Sequence, residues 1–151
     1  MPKSQTIQGQ DRDTHRWQGV HCTLALERPA RGVFVLRITG HDVGEFGDAP
    51  MRVLERHLTG EGAIALFIDA RHTEGATMEV SGAWAHWLGA HRANCTRICM
   101  LTGSRLTAIT AEFVRRFAGL GAIMQTFTDP AAFDSTLAGA ITMARAPSTR
   151  H

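Results

Sequence analysis

The stretch AIALFIDARHTEGATMEVSG, residues 63–82, changes character twice along its length. Residues 63–69 are an almost unbroken apolar run of strand length, the pattern of a central strand covered on both faces. Residues 70–78 bring Arg71, His72, Thr73, Glu74 and Gly75, which read as an exposed strand-end loop. A helix then starts between Thr77 and Ser81, because Val80, Trp84, Trp87, Leu88 and His91 recur on one face at helical spacing. A two-faced strand feeding a helix is part of a βαβ unit, so the chain reads as α/β.

Working outward, VHCTLALE (20–27) alternates, with Val20, Cys22, Leu24 and Leu26 on one side. VFVLRIT (33–39) is β-branched and apolar, and RPARG between them supplies a turn, which makes a hairpin. After the Gly-rich loop GHDVGEFGD, Asp48 and Pro50 open a helix whose stripe is Met51, Leu54 and Leu58, ended by Gly60 and Gly62. RICMLT (97–102) is a fourth strand and AIMQTFT (122–128) a fifth. Between them, Leu106, Ile109, Phe113, Phe117 and Leu120 predict the buried stripe of a helix with Arg115 and Arg116 outward. Asp129 and Pro130 open a last helix that buries Phe133, Leu137 and Ile141. The order is β-β-α-β-α-β-α-β-α: a mixed, mostly parallel five-stranded sheet with helices packed against it. Residues 1–19 are polar and aperiodic and read as a flexible N-terminal tail, 20–144 as the domain, and 145–151 as a C-terminal tail.

Composition narrows the function classes. The 151 residues hold one domain. Sixteen basic against fourteen acidic residues give no global case for nucleic acid or an anionic membrane. Cys22, Cys95 and Cys99 are an odd count without CxxC, the pattern of buried thiols in a reduced compartment. The N-terminus lacks the apolar core of a signal peptide, and no apolar run reaches a membrane span, so a cytoplasmic location is expected.

The element order and local texture resemble the STAS domain, the fold of anti-sigma-factor antagonists and of sulfate-transporter tails. The resemblance rests on the strand ending in Asp69, on RICMLTGS (97–104), and on GAIMQTFTDPAAFDSTLAGAI (121–141), and it covers residues 20 to 143. It is nearer to the divergent STAS-like branch, which is compared with lipid-binding CRAL-TRIO domains. In the antagonists an Asp-Ser-Ser/Thr-Gly motif opens the second helix, and its Ser is phosphorylated by an anti-sigma kinase. Here EVSG (79–82) stands at that place, with Glu79 for the acid, Val80 for the first hydroxyl residue, and Ser81-Gly82 retained. The resemblance thus implies a bacterial-type, non-enzymatic regulatory module that binds an anti-sigma or serine-kinase-type protein. Its switch candidates are Ser81 and, one turn earlier, Thr77, either of which also serves as a plain helix cap. Asp69, Arg71, His72, Glu74 and Glu79 are the interaction-surface candidates. A homodimer is compatible with this reading.

Two other classes compete. Trp84, Trp87, Met100, Phe113 and Phe117 are candidates to line a pocket for a small, lipid-like apolar ligand between helices and sheet, although aromatic stripes at helical spacing also make ordinary core. His41, His72 and Glu74 at the strand ends would serve a small enzyme. TGSR lacks the Gly-x-Ser-x-Gly elbow, and His86 and His91 lack the spacing of a zinc pair, so no catalytic residue, metal or cofactor is assigned.

Overall fold

The computed structural model describes residues 5–7 and 13–147. Seven strands make one sheet in chain order: β1 (Gln5–Ile7), β2 (Thr14–Gln18), β3 (Cys22–Ala30), β4 (Val33–Asp42), β5 (Ile64–Ala76), β6 (Cys95–Thr102) and β7 (Met124–Phe127). The first four form an antiparallel meander, and β4 to β7 run parallel. Helices α1 (Ala49–Glu61), α2 (Met78–Ala90) and α3 (Arg105–Phe117) are the crossovers that parallel pairing requires, and α4 (Pro130–Arg145) closes the chain.

Alternation along β5 divides the core into two layers. Ile64, Leu66 and Ile68 join Leu24, Leu36, Leu54 and Leu88 in the layer beneath α1, α2 and α3. Ala65 and Phe67 point the other way, and with Val35, Cys99 and Leu101 they pack against Phe133 and Leu137 of α4. The Phe133 ring meets Phe67 edge-on at 5.9 Å and Phe127 at 5.8 Å. The apolar run at 63–69 is therefore a strand buried on both faces, as expected.

Other expectations need correction. The sheet has seven strands instead of five, because residues placed in the N-terminal tail contribute to it. Thr14–Gln18 pairs with β3 along its full length, and Trp17 is 2% exposed in the main core. The polar residues around Trp17 obscured a strand that keeps one large side chain inward and its neighbours outward. The remainder of that tail, residues 1–4 and 8–12, lies outside the described residues, as do 148–151 of the C-terminal tail. Val20, expected on the buried side of the first hairpin, sits in the preceding turn and is 75% exposed. Gly60 lies inside α1, which runs to Glu61, and Gly62 (φ 76°) ends it. Asp48 makes no side-chain capping bond, and its carboxylate pairs with Arg52 at 3.0 Å instead.

Two polar contacts tie the end of α1 to the meander. The Glu61 carboxylate, at the end of α1, accepts from Arg28 Nε at 2.5 Å and from the Gly32 amide, which anchors the helix end to the β3–β4 turn. Gly40 takes φ 92°, and a Cβ there would lie 2.3 Å from the His21 carbonyl oxygen, so only glycine lets the end of β4 lie this close to the residue before β3.

The largest correction concerns α3. Leu106, Ile109, Phe113 and Phe117 are 60%, 61%, 41% and 66% exposed, and only Leu120 of the expected stripe is buried. The face turned to the protein consists of Thr107, Ala111, Val114 and Ala118. Small side chains let this helix lie close against the sheet and α2, leaving the bulky stripe outside. Periodicity marked the correct face as apolar but could not tell which way it faced.

Two outcomes follow. Trp17→Ala should destabilise the fold by about 3–5 kcal/mol in denaturant unfolding, as for a large aromatic removed from a packed core; a loss near zero would mean that β2 is a loose appendage. Burial pushes the Cys22 thiol up to about 12, aided by the nearby Asp42 and Glu45 carboxylates, and raises Cys95 and Cys99 as well. All three thiols should therefore resist Ellman's reagent at pH 8 until denaturant is added; one fast-reacting thiol in the folded protein would contradict this.

Candidate functional site

Residues 70–78, expected as a loop, are mostly strand. β5 pairs with β6 only as far as Ala70, then continues to Ala76 against Thr39–Asp42 of β4 through two irregular steps. Beyond that point no strand pairs with its other edge among the described residues. The polar character of His72, Thr73 and Glu74 reflects this half-open position, since only one neighbour strand covers them. His72 and Glu74 are exposed, and Thr73 Oγ1 donates to the Ile38 carbonyl at 3.3 Å.

The helix then begins where the sequence placed it. Thr77 is the N-cap, its hydroxyl accepting from the Val80 amide at 3.2 Å, while its own amide donates to the Asp42 carbonyl. Met78 is 83% exposed, and Glu79 in the first turn is exposed. Ser81 is only 8% exposed and points into the space between α2 and the sheet. The two switch candidates therefore differ physically: Thr77 sits at the helix end, while Ser81 is enclosed.

Asp69 lies on the α4 side of β5, 6% exposed, between two arginines. Its carboxylate accepts from Arg37 Nη1 at 2.8 Å, from Arg71 Nε at 3.0 Å and from the Arg71 amide at 3.2 Å. Arg71 also donates to Asp134 of α4 at 2.6 Å, and Arg37 to Glu27 of β3 at 3.4 Å. The hydrogen bonds to Asp134 and then Asp69 hold the Arg71 guanidinium charged, well above its ordinary range. Signs alternate across β3, β4, β5 and α4 where a single helix leaves part of the sheet face uncovered. Asp69 and Arg71 are thus first of all the clasp that fixes α4 to the central strand. Arg37 and Asp134 escaped the sequence reading; the available signal was that Arg37 and Asp69 interrupt two apolar runs at paired positions of adjacent strands.

Next to the clasp, Arg71, His72, Thr102, Ser104, Arg105 and Pro130 line an open cleft of about 620 Å³ at the carboxyl ends of the parallel strands. Gly103 permits it: a Cβ there would stand 2.3 Å from the Arg71 carbonyl oxygen. His41 does not border the cleft and lies instead beside Gly75, its pairing position. The structure accordingly does not bring His41, His72 and Glu74 into one constellation. Among the described residues, no three His, Cys, Asp or Glu side chains are grouped to hold a metal.

Between α2, α3 and the sheet is a partly open cavity of about 80 Å³. Trp84, Met100, Ile38, Ile68 and Val114 supply its apolar wall, with Asp42, Ser81 and Thr107 as polar groups. Burial raises the carboxyl pKa of Asp42, against a hydrogen bond from the Gly44 amide at 3.0 Å. Of the five apolar-ligand candidates, only Trp84 and Met100 reach this cavity. Trp87 is buried nearby with its indole N–H donated to Glu55 of α1 at 2.7 Å, and Phe113 and Phe117 lie stacked on the outer face of α3.

No protein-family model matches the chain, and no curated protein matches it. Among solved structures, an uncharacterized protein of the DUF3478 family from Shewanella loihica, with a SpoIIAA-like fold, superimposes with a TM-score of 0.58 at 16% identity, over 80% of this chain and 97% of that one. The anti-sigma factor antagonist SpoIIAA in its unphosphorylated form matches with a TM-score of 0.46 at 18% identity, over 75% of this chain and 95% of that one. No helix among the described residues is long and apolar enough to cross a membrane. The α/β order, the mixed and mostly parallel sheet and the first of these matches agree: the chain has the SpoIIAA-like fold of STAS domains.

Proposed function

We propose that this chain is a non-enzymatic regulatory module that works by binding another protein at the end of β5 and the start of α2. The observation that carries this reading is Met78, 83% exposed in the first turn of α2. It follows a half-paired strand that carries exposed His72 and Glu74, and the next residue, Glu79, is exposed as well. An exposed apolar side chain on a rigid element, with polar residues before and after it in the chain, has the composition of an interface centre with its rim. The partner that fits the resemblance of EVSG to the antagonist motif is an anti-sigma or serine-kinase-type regulator in the cytoplasm.

A hydroxyl switch at this place has a clear physical basis. Phosphate on Thr77 would replace the neutral cap with about −1.5 to −2 charge, next to the unpaired amides of a helix N-terminus that tolerate it. Phosphate on Ser81 would require the first turn of α2 to open, because that hydroxyl is enclosed. Either event alters the surface carrying Met78.

The test is binding to a serine-kinase-type regulator from the same genome, measured by calorimetry, with phosphate mapped by mass spectrometry after incubation with ATP. Met78→Glu should weaken binding at least tenfold with an unchanged melting temperature, since that side chain makes little of the fold's core. Thr77→Asp and Ser81→Asp should weaken it further, with Ser81→Asp also lowering stability because a charge enters an enclosed site. Unchanged affinity in Met78→Glu, together with no phosphate on Thr77 or Ser81, would overturn the proposal.

A second reading, a carrier or sensor of a small apolar ligand, is favoured by the cavity beside Trp84. At about 80 Å³ it is smaller than the ~150 Å³ void that accepts benzene, so it admits only a very small apolar molecule. Xenon or a small halogenated alkane should change Trp fluorescence and raise the melting temperature. No response in either quantity would remove this reading.

A further inference from the structure

The outward stripe of α3 has no role in the surface just described. Leu106, Ile109, Phe113 and Phe117 recur at three and four residues, so they form one continuous ridge along a 13-residue helix. Their exposure leaves on the order of 400 Å² of apolar surface in one patch, within the ~300–600 Å² of a typical monomer's largest patch, which is often a functional one. A shallow groove of about 510 Å³, bounded by Ile109, Glu112, Phe113, Arg116 and Phe117, runs along the same ridge.

We infer that this ridge is a self-association surface, on which α3 of a second copy of this chain docks in antiparallel orientation. Two features single out this occupant. The ridge is graded, with aliphatic Leu106 and Ile109 toward the N-terminus and stacked Phe113 and Phe117 (5.4 Å between ring centres) toward the C-terminus. A twofold axis between positions 111 and 112 sets Leu106 across from Phe117 of the other copy, and Ile109 within one residue of the level of its Phe113. Small then meets large along the whole contact, and the aliphatic end of one helix fills the groove beside the aromatic end of the other. A parallel pairing would crowd the aromatics at one end and leave a gap at the other.

The charges fit the same arrangement. Arg105, Glu112 and Arg116 follow one flank of the ridge, and Arg116 already donates to Glu112 at 3.1 Å within the chain. At 1.5 Å rise per residue, the twofold brings the two Glu112 side chains near the axis, each with an Arg116 from either copy about 6–8 Å along it. The acidic centre is thus bracketed by both arginines, which form a polar rim next to the apolar seam. The patch alone is about half of the ~800 Å² per partner of a standard interface, so rim residues must supply the rest, and the dimer should be a reversible one.

The test is the mass of the full chain by sedimentation equilibrium and the pattern of cross-links. Wild type should move from 16.5 kDa toward twice that value over the micromolar to hundred-micromolar range. Phe117→Glu and Ile109→Glu, both at exposed positions, should remain monomeric with unchanged melting temperature. Antiparallel docking further requires that the double variant Leu106→Cys with Phe117→Cys form an oxidised dimer, while each single variant does not. In the singles the two cysteines would stand ~16 Å apart along the axis, beyond disulfide reach. Three results would overturn the inference. One is a wild type that stays monomeric at hundreds of micromolar. Another is cross-linking by the single variants, which would mean parallel docking. The third is a monomer that floats with phosphatidylglycerol vesicles in a manner abolished by Phe117→Glu, which would assign the ridge to a lipid surface.

Discussion

The burial of β5 on both faces is the constraint from which the rest of the architecture follows. Leu66 and Phe67 are each 0% exposed, although they point in opposite directions. One side therefore needs α1 to α3 and the other needs α4, and such two-sided cover comes with parallel strands joined by helical crossovers. Toward the end of β5, α4 meets the sheet through charge instead of apolar packing: Asp69 is held by Arg37 and Arg71, and Arg71 in turn by Asp134 of α4. Removing only one member of this row would leave a buried carboxylate or its cation without its counterpart, so the row works as a unit.

The candidate docking edge is a consequence of the same strand. Because β6 ends its pairing at Ala70, the last turns of β5 project past the sheet with a single neighbour and deliver the chain directly to the Thr77 cap. The start of α2 is thereby fixed in place by β4 and β5 and yet turned to solvent. A rigid support with an exposed apolar side chain is what a reversible protein contact requires, since little ordering entropy is lost on binding. The outer ridge of α3 starts at Leu106, next to Gly75 of this edge, but the proposed self-association and the proposed partner contact would use different helices.

Much of this was legible in the sequence, and the parts that were not share one physical cause. Apolar runs and helical spacing identify β3 to β7, all four helices and the Thr77 start of α2, because those signals are local. Facing is not local. The α3 pattern is strongly amphipathic, but its bulky face is outside because Ala111 and Ala118 permit close packing on the other side. Trp17 shows the converse, since one buried indole among polar neighbours gives no periodic signal and its strand exists through pairing with β3. The site was legible in outline: Asp69, Arg71, His72, Glu74, Thr77, Glu79 and Ser81 all cluster around the end of β5 and the start of α2. Their division into an internal clasp, an exposed edge, a cap and an enclosed hydroxyl depended on Arg37, Asp134 and the cavity, which are distant in sequence.

The most direct measurement of the central claim, that the end of β5 and the start of α2 form the partner surface, is amide hydrogen exchange with and without a serine-kinase-type regulator. The account predicts slowed exchange in peptides spanning residues 72–82, with those of α4 unchanged. Protection confined to other segments, with 72–82 exchanging as in the free chain, would contradict it.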